Sequence, residues 1–111
     1  KGEIYWADLS PTVGSEISKI RPVVIVSNNI GNKFSSTITI VPVTSRTEKM
    51  YPYEVLLPAG EAGIKNDSKA KGNQIRTIDK SRLKEKIGKL RGSKIREIEN
   101  AILIHLGIGR R

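Results

Sequence analysis

The sequence predicts a mainly β fold, a small β-barrel with one C-terminal helix. Roughly five or six short segments carry strand patterns, and turn residues separate them every eight to twelve residues or so. The last segment differs in kind, because its apolar residues recur at helical spacing. The length of 111 residues predicts a single domain over residues 1–111.

The first three strands are predicted at residues 2–9, residues 21–26 and Thr37–Thr44. The second is a nearly unbroken run, Pro-Val-Val-Ile-Val, which is typical of a strand buried on both faces. Pro22 must lie at a sheet edge or at the first pairing position, because it has no N–H for a ladder. The third strand alternates at period two. Residues 28–32 have the composition of a turn, with room for a single helical turn.

The second half of the chain predicts three more strands and the helix. The strands are expected at residues 53–57, 68–76 and 84–91, with a turn or cap at residues 79–82. Ser93 is predicted to be the N-cap of the helix and Gly107 to end it. His105 is expected to be partly buried at the edge of the apolar stripe. That stripe comprises Ile95, Ile98, Ala101, Ile102 and Leu106.

The charge is uneven along the chain. The chain has twenty Lys and Arg residues and eleven Asp and Glu residues, which gives a net charge of +9. Residues 1–64 are balanced, whereas residues 65–111 hold fourteen basic and five acidic side chains. This asymmetry indicates a polyanionic partner, either nucleic acid, an acidic protein tail or an anionic membrane surface. A well-solvated basic surface is the alternative.

The composition also excludes several classes of function. The chain has no cysteine, which excludes disulfides, thiol chemistry and Cys-ligated metals. A single histidine excludes a His/His acid–base pair and a multi-His metal site. No phosphate-binding glycine motif and no acidic cluster spaced for two metals is present, so neither a cofactor nor a metal is predicted. Because no segment is apolar enough for a membrane span or a signal sequence, we expect a cytoplasmic protein.

A polar cluster remains where predicted strands begin and end. Arg21 opens the second strand, and Thr44 and Ser45 end the third. An arginine offers planar donors to phosphate oxygens, and a threonine hydroxyl can donate to the same oxygens. Since loops at strand ends commonly carry the site of a barrel, these residues indicate a phosphate-binding barrel whose first candidate ligand is nucleic acid.

Several short motifs follow one another in a distinctive order and spacing. They are residues 2–9 with Pro11, Gly14-Ser15-Glu16, Arg21-Pro22 with residues 23–28, Pro42-Val43-Thr44, residues 74–83 and Leu106-Gly107. In this order they resemble the MazF/PemK toxin family over nearly the whole chain. The resemblance implies a PemK-type barrel related to SH3 folds, and a homodimer that acts as a sequence-specific endoribonuclease. It also implies a cognate antitoxin whose acidic, disordered tail covers the RNA groove.

The resemblance assigns roles to individual residues. The catalytic pair of the family falls on Arg21 and Thr44. Glu16, together with Ser15 and Lys19 of the same loop, falls on the substrate-binding loop, and Gln74 matches an RNA-contacting glutamine. The implied reaction needs no metal: the 2′-OH attacks the adjacent phosphate and leaves a 2′,3′-cyclic phosphate and a 5′-OH end.

Two segments depart from the family pattern. The loop after Glu16 reads Ile17-Ser18-Lys19 where a polar residue and small residues are common, which bears on sequence preference. Another branch of the family uses an arginine and an aspartate where this chain has Lys71 and Asn73. The second departure favours Arg21 with Thr44 as the catalytic pair.

Two alternatives stay open on the sequence. The first is a barrel of the same fold that binds nucleic acid without cutting it, against which the presence of Arg21, Thr44 and Glu16 argues. The second is an SH3-like adaptor for proline-rich ligands. Such adaptors use aromatic-lined grooves, and aromatic residues make up only 5% of this chain.

Overall fold

The computed structural model describes residues 1–11, 13–14 and 19–109, in which strands dominate. The strands are β1 Glu3–Asp8, β2 Ile20–Ile25, β3 Thr37–Thr44, β4 Glu54–Leu57, β5 Ser68–Lys71, β6 Arg76–Asp79 and β7 Leu83–Lys89. The helices are α1 Asn29–Phe34 and α2 Gly92–Leu106. One-turn 3₁₀ helices occupy Glu61–Gly63, Gly72–Gln74 and Lys80–Arg82.

The strands form one bent antiparallel sheet in the order β4-β5-β3-β2-β1-β7. β3 is its centre, because Thr37–Ile40 pair with β6 while Val43 and Thr44 pair with β5. Within the described residues no ladder joins the edge strands β4 and β7. The predicted mainly β fold with a C-terminal helix is therefore confirmed, and the predicted barrel is open rather than closed by hydrogen bonds.

β2 is buried on both faces, as its composition predicts. Val23 and Ile25 belong to one aliphatic cluster and Val24 to another, which packs against α2. Pro22 lies opposite Trp6 of β1, whereas the ladder with β3 begins only at Val23. The missing N–H of Pro22 therefore falls where β3 no longer pairs, as expected.

The prediction of one strand over residues 68–76 is wrong. The chain forms β5, turns through Gly72–Gln74 and continues as β6. The Gly72 N–H donates to the Tyr53 carbonyl at 2.9 Å, next to the Glu54–Lys71 pair, so the chain stays with β4 where its pairing with β3 stops. A Cβ at Gly72 would lie 2.6 Å from that carbonyl, so only glycine fits this approach.

Three expectations for the helices also change. The N-cap of α2 is Arg91 rather than Ser93, and its side chain makes no capping bond. Residues 28–32, where the sequence allows a turn or a single helical turn, form the N-cap and start of α1, which runs on to Phe34; Asn28 Oδ1 accepts from the Gly31 N–H at 2.8 Å. His105 and Leu106 are exposed rather than buried, with His105 edge-on to Tyr53.

The rest of the helix prediction holds. Ile98, Ala101 and Ile102 are buried against the sheet, and Gly107 ends α2 in the left-handed conformation. In the described part of the chain, no helix is long and apolar enough to cross a membrane.

Candidate active site

Arg21 and Thr44 meet at one end of the sheet. The β2–β3 ladder pairs Val23 with Pro42, and extending that register by two residues places Arg21 opposite Thr44. Directly opposed residues of an antiparallel pair project to the same side. Both residues line one cavity of about 420 Å³, so the structure brings together the two residues that sequence reasoning placed at neighbouring strand ends.

Thr44 is held firmly at the end of β3. Its side chain is buried, with 8% of the residue exposed, and it lies opposite Lys69 of β5. Its Oγ1 accepts the Arg46 backbone N–H at 3.3 Å. Since that bond uses a lone pair, the hydroxyl proton of Thr44 stays available for donation to a ligand.

The cavity combines an apolar wall with a cationic rim. Trp6, 41% exposed, and Pro22 contribute apolar surface, while the exposed Lys65 and Lys86 contribute positive charge. This composition suits a ligand with flat bases and phosphates, because aromatic faces stack on bases and ammonium groups bind phosphate oxygens.

Sequence reasoning missed Trp6, Lys65 and Lys86 as site residues. For Trp6 a signal existed: alternation along β1 places it on the same side as Ile4, and in the β1–β2 ladder it lies opposite Pro22, which also lines the cavity. Lys65 lies on an irregular segment, so no periodic pattern in the sequence could have placed it beside the cavity.

Gly63, the last residue of the 3₁₀ turn Glu61–Gly63, lines the cavity together with Lys86 and Ile87 of β7. Gly63 adopts a φ of +84°, and a Cβ there would lie 2.7 Å from the Ile87 carbonyl of β7. Gly88 of β7 in turn packs against the Ala62 backbone. The turn and β7 therefore approach each other, beside the cavity, as closely as glycine allows.

The other predicted site residues fall into three groups. Ser15 and Glu16 lie outside the described residues. Lys19 is exposed in the left-handed conformation, with its carbonyl accepting the Leu9 N–H at 3.0 Å, and it adjoins Ile20 of the cavity wall. Gln74 is half-buried at the end of its 3₁₀ turn and does not line the cavity that holds Arg21 and Thr44.

Several basic residues of the second half serve the fold. Arg82 Nη1 donates to the carbonyls of Asp8 and Ser10 at 3.0 and 2.6 Å, and Arg76 Nη1 donates to that of Leu9 at 3.4 Å. These bonds anchor the chain where it leaves β1. The basic half is thus partly structural, which its composition alone does not reveal.

One buried carboxylate lies close to this end of the sheet. Burial alone would raise the pKa of Glu54, but hydrogen bonds from Lys69 and the Tyr51 N–H, with Lys71 nearby, hold that pKa below its ordinary value. Glu54 is therefore a fixed negative charge at neutral pH. In the described residues, His, Asp and Glu side chains form no group of three that could hold a metal ion.

Residues 1–106 match the family of PemK-like, MazF-like toxins of type II toxin–antitoxin systems. The chain belongs to this family. It is 45% identical over 109 residues to the endoribonuclease MazF of Staphylococcus saprophyticus, a match that spans 97% of this chain and 91% of that protein. The resemblance predicted from the ordered motifs is confirmed.

Solved members of the family share the fold. The crystal structure of MazF from Deinococcus radiodurans superposes with a TM-score of 0.82 at 28% identity, covering 96% of this chain and 94% of that one. A MazE–MazF complex from the same organism superposes with a TM-score of 0.77 at 27% identity, covering 97% and 95%.

Proposed function

We propose that this PemK/MazF family member is an mRNA interferase, a sequence-specific endoribonuclease that cleaves single-stranded RNA without a metal. The observation that carries the proposal is the meeting of Arg21 and Thr44 in one cavity with a cationic rim. The 45% identity to an endoribonuclease MazF supports the same activity.

In the proposed reaction, the 2′-oxygen attacks the adjacent phosphorus and the bond from phosphorus to the 5′-oxygen breaks. The 2′-hydroxyl loses its proton, the 5′-oxygen gains one, and the products are a 2′,3′-cyclic phosphate and a 5′-OH end. Arg21 stabilises the negative charge that builds up on the phosphorane, and Thr44 donates its hydroxyl proton to a non-bridging oxygen. Such preorganised donors act mainly on the transition state. Arg21 is not assigned the role of general base, because a guanidinium stays protonated at neutral pH.

RNA is the proposed substrate, and Ser15, Glu16, Lys19 and Gln74 are proposed to contact it. Lys65 and Lys86 extend the proposed contacts to neighbouring phosphates. A cognate antitoxin with an acidic, disordered tail is the proposed protein partner, since an anionic chain would compete for the same cations. The MazE–MazF complex of the Deinococcus relative supports a protein partner of this kind. The proposed location is the cytoplasm, where mRNA is found.

The chain is also proposed to form a homodimer. Leu56 on β4 and Ile104 and Leu106 on α2 are 43%, 47% and 54% exposed. Lys94 Nζ donates to the Leu56 carbonyl at 3.1 Å, so the start of α2 lies beside β4. Exposed apolar surface of this kind favours association.

The direct test incubates the purified chain with a long, defined RNA in EDTA and maps the ends of the products. We expect cleavage at a recurrent short sequence, with cyclic phosphate and 5′-OH ends. Cleavage that disappears in EDTA and returns with magnesium would contradict the metal-free mechanism. Binding of the RNA without any cleavage would favour the alternative of an inactive nucleic-acid-binding barrel of the same fold.

A further inference from the structure

β4 and β5 hold a buried ion pair that the proposed reaction does not use. The Glu54 side chain is 0% exposed and that of Lys69 is 7% exposed, with Lys69 Nζ 2.9 Å from Glu54 Oε1. Lys71 Nζ lies 3.3 Å from Oε2, an ion pair without hydrogen-bond geometry. Buried charges of this kind are costly, so their other contacts indicate what they do.

Those contacts go to residues 45–53, the β3–β4 loop. Lys69 Nζ donates to the Lys49 carbonyl at 2.7 Å and lies 5.9 Å from the centre of the Tyr51 ring. Glu54 Oε1 accepts the Tyr51 N–H at 3.0 Å. The ion pair therefore tethers the β3–β4 loop at two backbone positions.

The same lysine borders Thr44. Thr44 and Lys69 are directly opposed in the β3–β5 ladder, so their side chains lie side by side on one face of the sheet. The β3–β4 loop starts one residue after Thr44, and the Arg46 N–H of this loop donates to Thr44 Oγ1. The orientation of the hydroxyl thus depends on a loop that Lys69 holds in place.

If the Glu54–Lys69 ion pair served stability alone, apolar side chains could replace it. Well-packed apolar side chains can substitute for a buried ion pair without loss of stability. An apolar side chain at position 69 cannot, however, donate to the Lys49 carbonyl. Apolar side chains at positions 54 and 69 would remove the need for the ion pair but would leave the Lys49 carbonyl without its donor.

We propose that Lys69, held by Glu54, is a positioning residue that orients the Thr44 hydroxyl through the β3–β4 loop. This inference rests on the cleavage function proposed above. Lys69 touches no substrate in this account, so its loss should slow the chemical step while RNA binding persists.

The test uses the double variant Glu54→Leu/Lys69→Met in the full-length chain, with Lys71→Met as the matched control. Lys71→Met also removes an ion-pair partner of Glu54 but leaves both tethers to the loop. Three quantities are measured for each protein: single-turnover cleavage of the mapped RNA, affinity for that RNA in a 2′-deoxy form that cannot be cleaved, and amide hydrogen exchange of residues 45–51.

We expect the double variant to exchange faster in the β3–β4 loop and to cleave about 10- to 100-fold more slowly, the scale of loss for a misplaced catalytic group. Its affinity should stay within about threefold, since few phosphate contacts change. Lys71→Met should match the wild type in all three measurements. If the double variant fails to fold, Lys69→Met, in which Lys71 still faces Glu54, carries the same expectation.

Wild-type cleavage by a folded variant whose loop exchanges faster would overturn the positioning role while leaving the proposed function intact. Unchanged loop exchange would overturn the tether itself. A wild-type chain that cleaves no RNA would instead overturn the proposed function, and the positioning role with it.

Discussion

The Thr44 hydroxyl combines a structural and a proposed chemical role in one side chain. It accepts the Arg46 N–H at 3.3 Å, which orders the start of the β3–β4 loop, and it faces the cavity shared with Arg21. One lone pair is used by the backbone, while the proton remains for the substrate. A substitution that removes only the hydroxyl therefore tests both roles at once.

Thr44→Val should fold and bind RNA but cleave poorly. The β-branched shape suits the strand, and the lost hydrogen bond costs about 1 kcal/mol. Thr39→Val is the matched control, because Thr39 on the same strand loses a comparable bond, to Thr77 Oγ1 at 2.8 Å, outside the cavity. Melting temperature and single-turnover cleavage of both variants check this. Equal cleavage by the two variants would refute a role for the Thr44 hydroxyl.

Glu54 should make the stability of the chain sensitive to acid. Its pKa is lowered on folding from an ordinary value of 4.5, so its carboxylate contributes stability above that value. This stability is lost as the pH falls through the lowered pKa of the folded state. We expect the melting temperature of the wild type to be well above that of Glu54→Gln near neutral pH. The difference between the two melting temperatures should narrow steadily below about pH 4.5. Thermal melts of both proteins across this pH range check the prediction. A difference in melting temperature that stays constant with pH would contradict a stabilising role for the Glu54 carboxylate.

At the scale of elements, the 3₁₀ turn Glu61–Gly63 and β7 approach each other closely beside the cavity. Gly63 and Gly60 both have positive φ, of +84° and +91°, but only at Gly63 does a Cβ meet nearby atoms. The two glycines thus separate the effect of backbone conformation from that of close packing.

Gly63→Ala should destabilise the protein more than Gly60→Ala. Both substitutions strain a left-handed backbone by about 1–2 kcal/mol. Gly63→Ala also drives a methyl group into the Ile87 carbonyl, and such overpacking adds about 1–3 kcal/mol. Chemical denaturation of the two variants measures the difference. Equal losses of stability would show that β7 moves away from the turn without cost.

Local patterns predicted some elements well and others poorly. The alternation of Thr37–Thr44 gave β3 with its observed bounds, and the β-branched run gave a strand buried on both faces. The break after Lys71 was missed because its contact is with a distant segment, the Tyr53 carbonyl just before β4. The start of α2 at Gly92 was missed because Arg91 makes no side-chain cap, so the local sequence carries no capping signal.

The sequence predicted part of the candidate site as well. Strand ends predicted that Arg21 and Thr44 would converge, because both follow from strand bounds. The burial of Lys69 could not be predicted from the local sequence, because its partner Glu54 lies fifteen positions away. Contacts between distant segments, rather than local propensity, decide which lysines are buried and which face the ligand.

At the scale of the whole molecule, the net charge of +9 divides into structural and exposed parts. Arg76, Arg82 and Lys69 donate to backbone carbonyls of other segments. Lys65 and Lys86 are exposed at the rim of the cavity. Of these two groups, only the exposed one can replace counterions on a nucleic acid bound at the cavity.

RNA binding should therefore weaken steeply between about 50 and 200 mM salt. Lys86→Ala should lower the slope of log affinity against log salt by about 0.7, the loss expected for one phosphate contact to single-stranded nucleic acid. Lys84→Ala is the matched control, since Lys84 is an exposed lysine of β7 that does not line the cavity. Equal slopes for the two variants would place the RNA elsewhere on the molecule.

Single-turnover cleavage by Arg21→Ala under saturating enzyme tests the claim that Arg21 acts on the phosphate that is cleaved. Arg96→Ala, which removes an exposed guanidinium from α2 outside the cavity, is the control. We expect a folded Arg21→Ala protein that binds uncleavable RNA within about tenfold of wild type, since one phosphate contact is lost. Its cleavage rate should fall by about 10²–10³, the usual loss for one preorganised donor. Arg96→Ala should cleave like the wild type. Cleavage at the wild-type rate by a well-folded Arg21→Ala protein would contradict the claim.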